Sequence, residues 1–463
     1  MKKVLSLFLI IIVSIGSLIA EDRDTLTLEA YLNLIAENHP LIKKANLYDD
    51  FVEAYTLKGK GVLDPKLNSS YERKTFDGTN YFSVWNTEAK IPTRLPIDFA
   101  AGYDRNDGSF LSAADNVPLV GLPYATINVN LLRGLLFDEQ RHAIQSAELS
   151  GIKSEIEQQM LMREVLYQAI ATYVEWAAIS EENKIIIEFL EAIRLRHLGV
   201  LDLYRNGDKP AVDTIESILT INAAEKLSLI ATKQQIEKEQ KLMLFLWNDE
   251  GSPLMMTQSP APESLITLAL RLDEIARLDQ VIPENDPKIQ KIANEIDQLQ
   301  LDNRLQREYL KPQLELKYNT LVNIGKTNYD PAWSVNDYKY GVKVEIPIRN
   351  RKTRGDIMLN NAITEQANFV ADQHIAELMN KYESLTLQRD IQRQVLAVTN
   401  EKITNSTALY NAEVLKFDLG ESSVFLLNQR EQKLLQAQLE LVKEYKSLGV
   451  LLGDLYYIKL GQE

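Results

Sequence analysis

Cysteine is absent from this chain of 463 residues. The protein therefore has no disulfide, no thiolate metal site, no thiol nucleophile and no lipid-modified N-terminal cysteine. Histidine is scarce too, and the spacing of the four histidines fits no metal-ligand motif. They are His39, His142, His197 and His374. Because a phosphate loop and a nucleophile elbow are also missing, the sequence predicts no metal, no cofactor and no enzymatic activity.

Basic residues are too few to balance the acidic ones. The chain has 51 Lys and Arg against 65 Asp and Glu, a formal net charge of -14. A surface of this charge repels phosphate backbones, so nucleic acid is not expected as a partner.

Long hydrophobic runs are missing except at the N-terminus. There a short basic head precedes an apolar run, residues 4–20, which ends in Ala20 before two acids. This pattern predicts a cleaved signal peptide, residues 1–20; an uncleaved anchor is the alternative, which the short run disfavours. No other stretch approaches about 18 apolar residues, so we expect no transmembrane helix. Any further contact with a membrane would be made by strands.

Proline is absent after residue 347, and the rest of the chain has the pattern of a helical hairpin. Before a turn at residues 417–423, apolar positions are spaced as in a coiled-coil seam. They are Ala371, Ile375, Leu378, Tyr382 and Leu385. After the turn, leucine recurs every seventh residue, at Leu427, Leu434, Leu441, Leu448 and Leu455. Residues 351–418 would form one helix about 100 Å long, which needs other long helices, from this chain or its copies, to pack against.

The first half of the chain combines helices and strands. A helical pattern over residues 25–57, capped by Thr25 or Thr27, breaks once at residues 38–40. A helical hairpin follows later, over residues 136–247, with a turn at residues 205–210.

Between these helices the hydrophobic period falls to two, which predicts strands with one apolar and one polar face. The regular strands lie around residues 97–104 and 125–131, and less regular candidates lie at residues 67–73 and 81–91. Aromatic side chains are frequent in these strands and in a later one, namely Tyr81, Phe82, Trp85, Phe99, Tyr103 and Tyr340.

The same order of patterns occurs twice. Pro287 lies 247 residues after Pro40, and Pro312 lies 247 residues after Pro65. Alternating apolar residues return at residues 340–348, again before a long helix. We therefore predict an internal duplication.

The duplication gives the predicted domain organisation. The first repeat, residues 21–250, is followed by an equatorial linker region, residues 251–283, and by the second repeat, residues 284–463. Each repeat consists of a helix, strands and a long helical hairpin. The few strands of one chain cannot close a barrel, and open edges are not tolerated in lipid, so oligomerisation would be needed.

Several motifs recur in this order in one known family. They are residues 26–31 (Leu-Thr-Leu-Glu-Ala-Tyr) with residues 38–40 (Asn-His-Pro), their counterpart at residues 285–287, residues 129–134 (Val-Asn-Leu-Leu-Arg-Gly) leading into Arg141, and residues 410–427. Each motif is weak alone, but the ordered, duplicated set covers essentially the whole mature sequence. In this set the chain resembles the TolC-like outer membrane efflux proteins, also called outer membrane factors.

The resemblance implies an α+β membrane protein. It implies a homotrimer in which four strands per protomer build a 12-stranded outer-membrane β-barrel, continued by a periplasmic α-helical coiled-coil barrel. The implied function is a passive exit duct of a tripartite efflux pump or type I secretion system. Its partners would be a periplasmic adaptor (membrane fusion protein), an inner-membrane transporter and outer membrane lipid, in a Gram-negative-type cell.

In that family the helix turns form a closed periplasmic tip. By position, Asp213 matches a family acid near the constriction, and Phe417 lies where a tyrosine takes part in the closed state. Ser422 and Leu426 depart from the family pattern of arginine and aspartate, so a charged latch of the usual composition is not expected.

We hypothesise that a ring of acidic side chains takes the place of such a latch. Asp213, with one or more of Asp208, Asp418 and Glu421, would set a cation-preferring constriction. The alternative is that these four acids are solvated turn and cap residues.

The apolar residues around the two turns are candidates for contact with the adaptor. With the two turn glycines, the candidates are Leu203 and Gly207 in the first turn, and Leu419, Gly420 and Val424 in the second. Their alternative role is to plug the end of the hairpin.

The alternative function is a soluble periplasmic coiled-coil scaffold or the adaptor itself. The amphipathic, aromatic strands disfavour it, because a scaffold has no need of them, although a small β domain on the periplasmic side would be compatible with them. The sequence leaves open which of the four first-repeat strand candidates span the bilayer, and whether the extra pair lies outside the barrel.

Overall fold

The computed structural model describes residues 25–254, 260–324 and 331–462. The predicted signal peptide lies outside these residues. The described chain divides into two compact units, and each unit draws residues from both halves of the sequence. We call the unit formed by Ala45–Met160 and Ile282–Met379 the sheet unit, and the other the helical unit.

The helices are distributed over both units. They are α1 (Leu28–Asn38), α2 (Pro40–Lys60), α3 (Glu139–Arg205), α4 (Ala211–Met243), α5 (Leu265–Ile275), α6 (Pro287–Tyr309), α7 (Arg351–Asp418) and α8 (Val424–Leu460). The predicted long helix over residues 351–418 is confirmed as α7. Thr27, one of the two predicted caps, accepts a hydrogen bond from the backbone N–H of Ala30 at the start of α1, 3.2 Å away. No helix in the described part of the chain has an apolar stretch sufficient to cross a membrane.

The sheet unit contains one antiparallel sheet of six strands. These are β2 (Lys66–Phe76), β3 (Thr79–Ile91), β4 (Ile97–Asp107), β5 (Leu122–Asn130), β7 (Gln313–Ile324) and β8 (Pro331–Glu345), paired in this order. All four first-half strand candidates are thus strands of one sheet with the two from the second half. This differs from the four strands per chain that the family resemblance implied.

The pairing register gives the sheet one apolar and one polar face, because directly opposed residues share a face. One row of paired residues is aliphatic or aromatic: Ile91, Phe99, Ile127, Tyr318 and Tyr340. The adjacent row, on the opposite face, is mostly polar: Lys90, Ala100, Thr126, Asn319 and Lys339. The side chains of the apolar row are between 42% and 71% exposed.

The helical unit has a core around the start of the described chain. Strand β1 (Thr25–Leu26) pairs in parallel with β6 (Ala261–Pro262), and the hydroxyl of Tyr173 donates to the Leu26 carbonyl oxygen at 2.6 Å. Helix α5 buries Leu272 completely and packs against α8. Part of the predicted linker region, residues 260–275, is therefore built into this core.

Of the ten predicted coiled-coil positions, five are buried and five are half-buried. Leu378 and Leu385 of α7 are buried, and so are Leu427, Leu448 and Leu455 of α8. Alternation of these positions with exposed ones is what an antiparallel helix pair requires. The interior of the hairpin formed by α7 and α8 therefore follows the seams predicted from the spacing.

Candidate functional site

The turns that end α3 and α7 have the same backbone geometry. Gly207 has φ +85° and Gly420 has φ +78°, a conformation that glycine adopts without a steric cost. In the first turn, the N–H of Asp208 donates to the Leu203 carbonyl oxygen at 2.9 Å, and in the second, that of Glu421 donates to Lys416 at 2.8 Å. Both turns are therefore Schellman-type helix ends, which fix the direction in which the chain leaves the helix.

Lys209 joins the first turn to the second. Its ammonium lies 4.8 Å from the centre of the Phe417 ring, and its Nζ donates to the Ser422 carbonyl oxygen at 3.3 Å. A cation over an aromatic face is attracted by the ring quadrupole, by about 0.5–1 kcal/mol at exposed sites. Phe417 is therefore held by a residue of the other turn.

The buried carboxylate of Glu413, on α7, stabilises the second turn. The Ser422 hydroxyl donates to Oε1 of Glu413 at 2.5 Å, while Nε of Arg430 lies 3.8 Å from Oε2. Ser423 then caps α8 by accepting from the N–H of Leu426 at 3.3 Å. Lys209 therefore contacts a turn whose own conformation is well supported.

A buried group of polar side chains, here called the polar layer, connects the helices near these turns. It consists of Arg196 on α3, Thr220 on α4, and Asn428 and Glu431 on α8. Arg196 Nη2 donates to Asn428 Oδ1 at 3.1 Å and also to the Glu431 carboxylate. Asn428 Nδ2 in turn donates to Thr220 Oγ1 at 3.0 Å. Loss of either partner of a buried charge pair is costly, because the remaining charge stays buried without compensation.

Two further groups lie beside the polar layer. Burial raises the pKa of the Tyr410 hydroxyl, and the negative charge of Glu431 raises it further. His197 Nδ1 lies 2.5 Å from the Ser217 hydroxyl. Tyr410 therefore remains a neutral phenol at neutral pH. Through this residue, α7 also contributes a polar group beside the polar layer.

The four predicted acids lie around the turns with different exposure. Asp213 is half-buried in the first turn of α4, whereas Asp208, Asp418 and Glu421 are exposed. None of the four forms a salt bridge with another described residue of the chain. Their carboxylates are therefore available to ions or to another copy, but one chain does not bring them together as a site.

The predicted apolar contact residues divide into two groups. Leu419 is 74% exposed and Leu203 is half-buried, so both can meet a partner. Val424 is completely buried. The prediction that Val424 contacts a partner at the surface is therefore wrong. Val424 takes the alternative role and closes the end of the hairpin.

The polar face of the sheet carries a second cluster that the sequence did not indicate. Asn86 on β3 donates through Nδ2 to the Asp104 carboxylate on β4 and, at 3.1 Å, to the Tyr124 hydroxyl on β5. The Tyr124 hydroxyl donates to Glu88 Oε2 at 3.0 Å. A Cβ on Gly102 would meet the Tyr124 ring at 2.3 Å, so glycine makes room for this cluster. It links three neighbouring strands through their side chains.

No group of three or more His, Asp or Glu side chains arranged to hold a metal ion occurs in the described ranges. The contacts around the turns and the sheet are packing, hydrogen-bonding and charge contacts. Such an arrangement can bind, orient or obstruct.

This architecture is similar to that of solved outer membrane channels. No family model and no curated protein matches the sequence, but solved structures match over nearly its whole length. The Campylobacter jejuni CmeC outer membrane channel has a TM-score of 0.64 at 12% identity, covering 96% of this chain and 91% of its own. The chain has the TolC-like outer-membrane channel fold.

Two other structures agree with this TolC-like fold. CusC, whose structures concern folding and transmembrane channel formation, has a TM-score of 0.67 at 11% identity and covers 96% of this chain and 95% of its own. The open state of the Neisseria gonorrhoeae MtrE outer membrane channel has a TM-score of 0.64 at 11% identity, with 94% and 88% covered. Identities this low relate the proteins by fold.

Proposed function

We propose that this protein is an outer-membrane exit duct. It would conduct substrates passively after an inner-membrane transporter and a periplasmic adaptor deliver them, in a tripartite efflux pump or a type I secretion system. The observation that carries the proposal is the exposed apolar face of the six-stranded sheet. The TolC-like fold supports the same function.

An apolar sheet face needs a cover, and lipid is the cover that fits its composition. The row that contains Phe99, Ile127 and Tyr318 mixes aromatic and aliphatic side chains, as membrane-facing strands do. The described helices of the sheet unit do not cover these side chains, which remain exposed. The opposite face is polar and suits a water-filled interior.

The open edges of the sheet support association of several copies, for which the homotrimer of the family resemblance is the proposed form. Strands β2 and β8 are each paired on one side only in the described chain, and lipid offers no partner for unpaired backbone groups. Copies of the chain would supply the missing strands.

The long helices also have too much apolar surface for a monomer. Exposed large side chains follow one another along α7: Met358, Leu359, Phe369, Leu387, Ile391, Val398, Leu409 and Leu415. In the proposed assembly these side chains pack against helices of neighbouring copies, and the helices form a periplasmic tunnel. The cleaved signal peptide would direct the chain to the outer membrane of a Gram-negative-type cell.

The two turns are the proposed gate and adaptor contact. Lys209 and Phe417 hold the turns of one chain together, and Asp213, with Asp208, Asp418 and Glu421, would form the acidic ring that favours cations. The exposed Leu419 and the half-buried Leu203 would contact the adaptor.

The test is to fractionate the membranes of the native cell, extract the protein in mild detergent, weigh the complex and measure conductance in a planar bilayer. We expect an outer-membrane complex of three chains, each of 52.8 kDa before the signal peptide is removed, that opens ion-conducting pores. A water-soluble monomer or dimer without conductance would contradict the duct and favour the periplasmic scaffold.

A further inference from the structure

We infer that all six strands belong to the membrane wall, so that three copies close an 18-stranded barrel rather than the 12-stranded barrel that the family resemblance implied. The new contact is between copies, where β8 of one chain pairs with β2 of the next. This inference presupposes the channel function proposed above. It is carried by the pairing, the side chains and the edges of the sheet.

The pairing of β4 is the first reason. A strand has two edges, and those of β4 are occupied by β3, over Ser83 to Ile91, and by β5. A 12-stranded barrel formed by β4, β5, β7 and β8 of each chain would need a free outer edge on β4. It would therefore have to break the whole β3–β4 ladder, whose backbone groups lipid cannot satisfy.

Side chains on the polar face reinforce that ladder. Asn86 of β3 is hydrogen-bonded to Asp104 of β4 and to Tyr124 of β5, and Tyr124 is bonded to Glu88 of β3. Detaching the β2–β3 hairpin would break these hydrogen bonds, which connect side chains of three neighbouring strands. The hairpin is therefore joined to the rest of the sheet by more than its backbone.

The apolar face continues across the hairpin. Tyr71 of β2 is paired with Trp85 of β3, on the same face as the row that contains Phe99 and Tyr340. Leu67, Tyr71, Trp85 and Ile91 are all exposed. A hairpin outside the bilayer would present these side chains to water, which has a free-energy cost for apolar surface. Lipid along all six strands removes this cost.

The two free edges are complementary. Five antiparallel pairings separate β2 from β8, so the two strands run in opposite directions. A rotated copy can therefore add its β2 to β8 as one more antiparallel pair, and the ring closes without an edge. The faces also restrict the register, since Leu67 and Tyr71 have to lie on the side of Tyr340 and Val344.

The consequence is a wider barrel. Barrel diameter grows roughly linearly with strand number, so 18 strands give a pore about half again as wide as 12. Barrels of 16–18 strands leave an aqueous channel. The sheet would therefore set a wide outer opening, whose walls are lined by its polar face.

Fluorescence quenching by brominated phosphatidylcholine vesicles tests the position of β3. Three of the four tryptophans, Trp176, Trp247 and Trp333, are changed to phenylalanine, which leaves Trp85 as the only tryptophan. The matched control replaces Trp85 as well and carries Tyr340→Trp on β8. We expect both probes to be quenched, by at least twofold relative to unbrominated vesicles.

The other outcomes separate the two proposals. Quenching of the Tyr340→Trp probe without quenching of Trp85 would overturn the 18-stranded barrel and leave the channel function intact. Quenching of neither probe would place the sheet outside the bilayer and overturn both.

Disulfide formation tests the contact between copies, in a chain that has no cysteine of its own. Leu67→Cys or Tyr71→Cys is combined with Tyr340→Cys or Val344→Cys, which samples three registers on the outward face. We expect oxidant to yield covalent dimers and trimers for at least one combination.

The matched control for the disulfides combines Phe99→Cys with Tyr340→Cys or Val344→Cys, which would be neighbours across copies only if β4 were the edge strand. Linked copies in this series alone, from a conducting trimer, would overturn the 18-stranded barrel. So would the absence of any link between β2 and β8 in such a trimer.

Discussion

The ammonium of Lys209 lies 4.8 Å from the centre of the Phe417 ring, and the two residues belong to different helix turns. The same lysine donates to the Ser422 carbonyl oxygen, 213 positions along the chain. One side chain thus connects the ends of both helical hairpins. Any movement that separates the turns has to break this contact first.

We predict that Lys209→Met loosens the turns. Loss of about 0.5–1 kcal/mol of cation–π attraction would raise the ratio of open to closed channels about two- to fivefold, measured as open probability in planar bilayers. Lys416→Met is the matched control, because it removes the same charge from an exposed position at the end of α7. A double-mutant cycle with Phe417→Leu that shows no coupling would contradict a direct contact between the two side chains.

A second prediction concerns ion selectivity. Asp213→Asn should reduce the preference of the open pore for K⁺ over Cl⁻, measured by reversal potentials in a salt gradient, because a ring of carboxylates favours cations. Asp372→Asn, an exposed acid on α7 in the sheet unit, should leave the reversal potential unchanged. Unchanged conductance and selectivity in Asp213→Asn would disprove the role of this acid.

The polar layer gives a third prediction. Glu431→Ala leaves the largely buried Arg196 without its carboxylate, and we expect it to lower the free energy of unfolding by about 3–5 kcal/mol. The double variant Arg196→Met with Glu431→Leu removes both charges and should recover most of that loss. Thermal denaturation in detergent measures both, and equal destabilisation of the two variants would argue against an unpaired charge as the cause.

Two glutamates of α3 are predicted to respond to pH with opposite signs. Burial raises the pKa of Glu182 above its ordinary 4.5, so its protonated form is favoured in the folded state. The associated stability is present below about pH 4.5 and is lost as the pH rises through the raised pKa. Glu182→Gln should therefore raise the melting temperature at pH 7 to 8, with no gain at pH 4.

Glu175 is the matched comparison. Burial alone would raise its pKa, but the hydrogen bond and charge of Lys238, 2.7 Å away, outweigh burial and lower the pKa below 4.5. Its stability is present above about pH 4.5 and is lost as the pH falls through the lowered pKa. Glu175→Gln should lower the melting temperature at pH 7, and the loss should shrink in acid. The same pH response in both variants would contradict these assignments.

Sequence reasoning located the long elements because their signals are local and repeated many times. The seams of α7 and α8, the break before Pro40 and the glycine turns each follow from the spacing of apolar residues or from backbone freedom. The order of these elements predicted long helices combined with strands, and the fold class came from the family resemblance. Two-residue strands such as β1 have no periodicity, so their pairing with β6 was missed.

The candidate site was only partly predictable. Phe417 was identified by its position relative to Gly420, but its partner Lys209 could not be, because no local pattern links residues of two turns. Val424 has the apolar character of a contact residue, and only the packing beneath the second turn shows that it is buried. Asp213 and its neighbours remain predictions.

The sequence by itself determined the amphipathic character of every long element, since hydrophobic period depends on residue type and backbone geometry alone. It also settled the absence of thiol chemistry. The tertiary structure decided which elements are neighbours: that β3 occupies the outer edge of β4, that six strands share one apolar face, and that Lys209 reaches Phe417. Such pairings join residues far apart in the chain, and they depend on which edges and faces remain free once the local elements have formed.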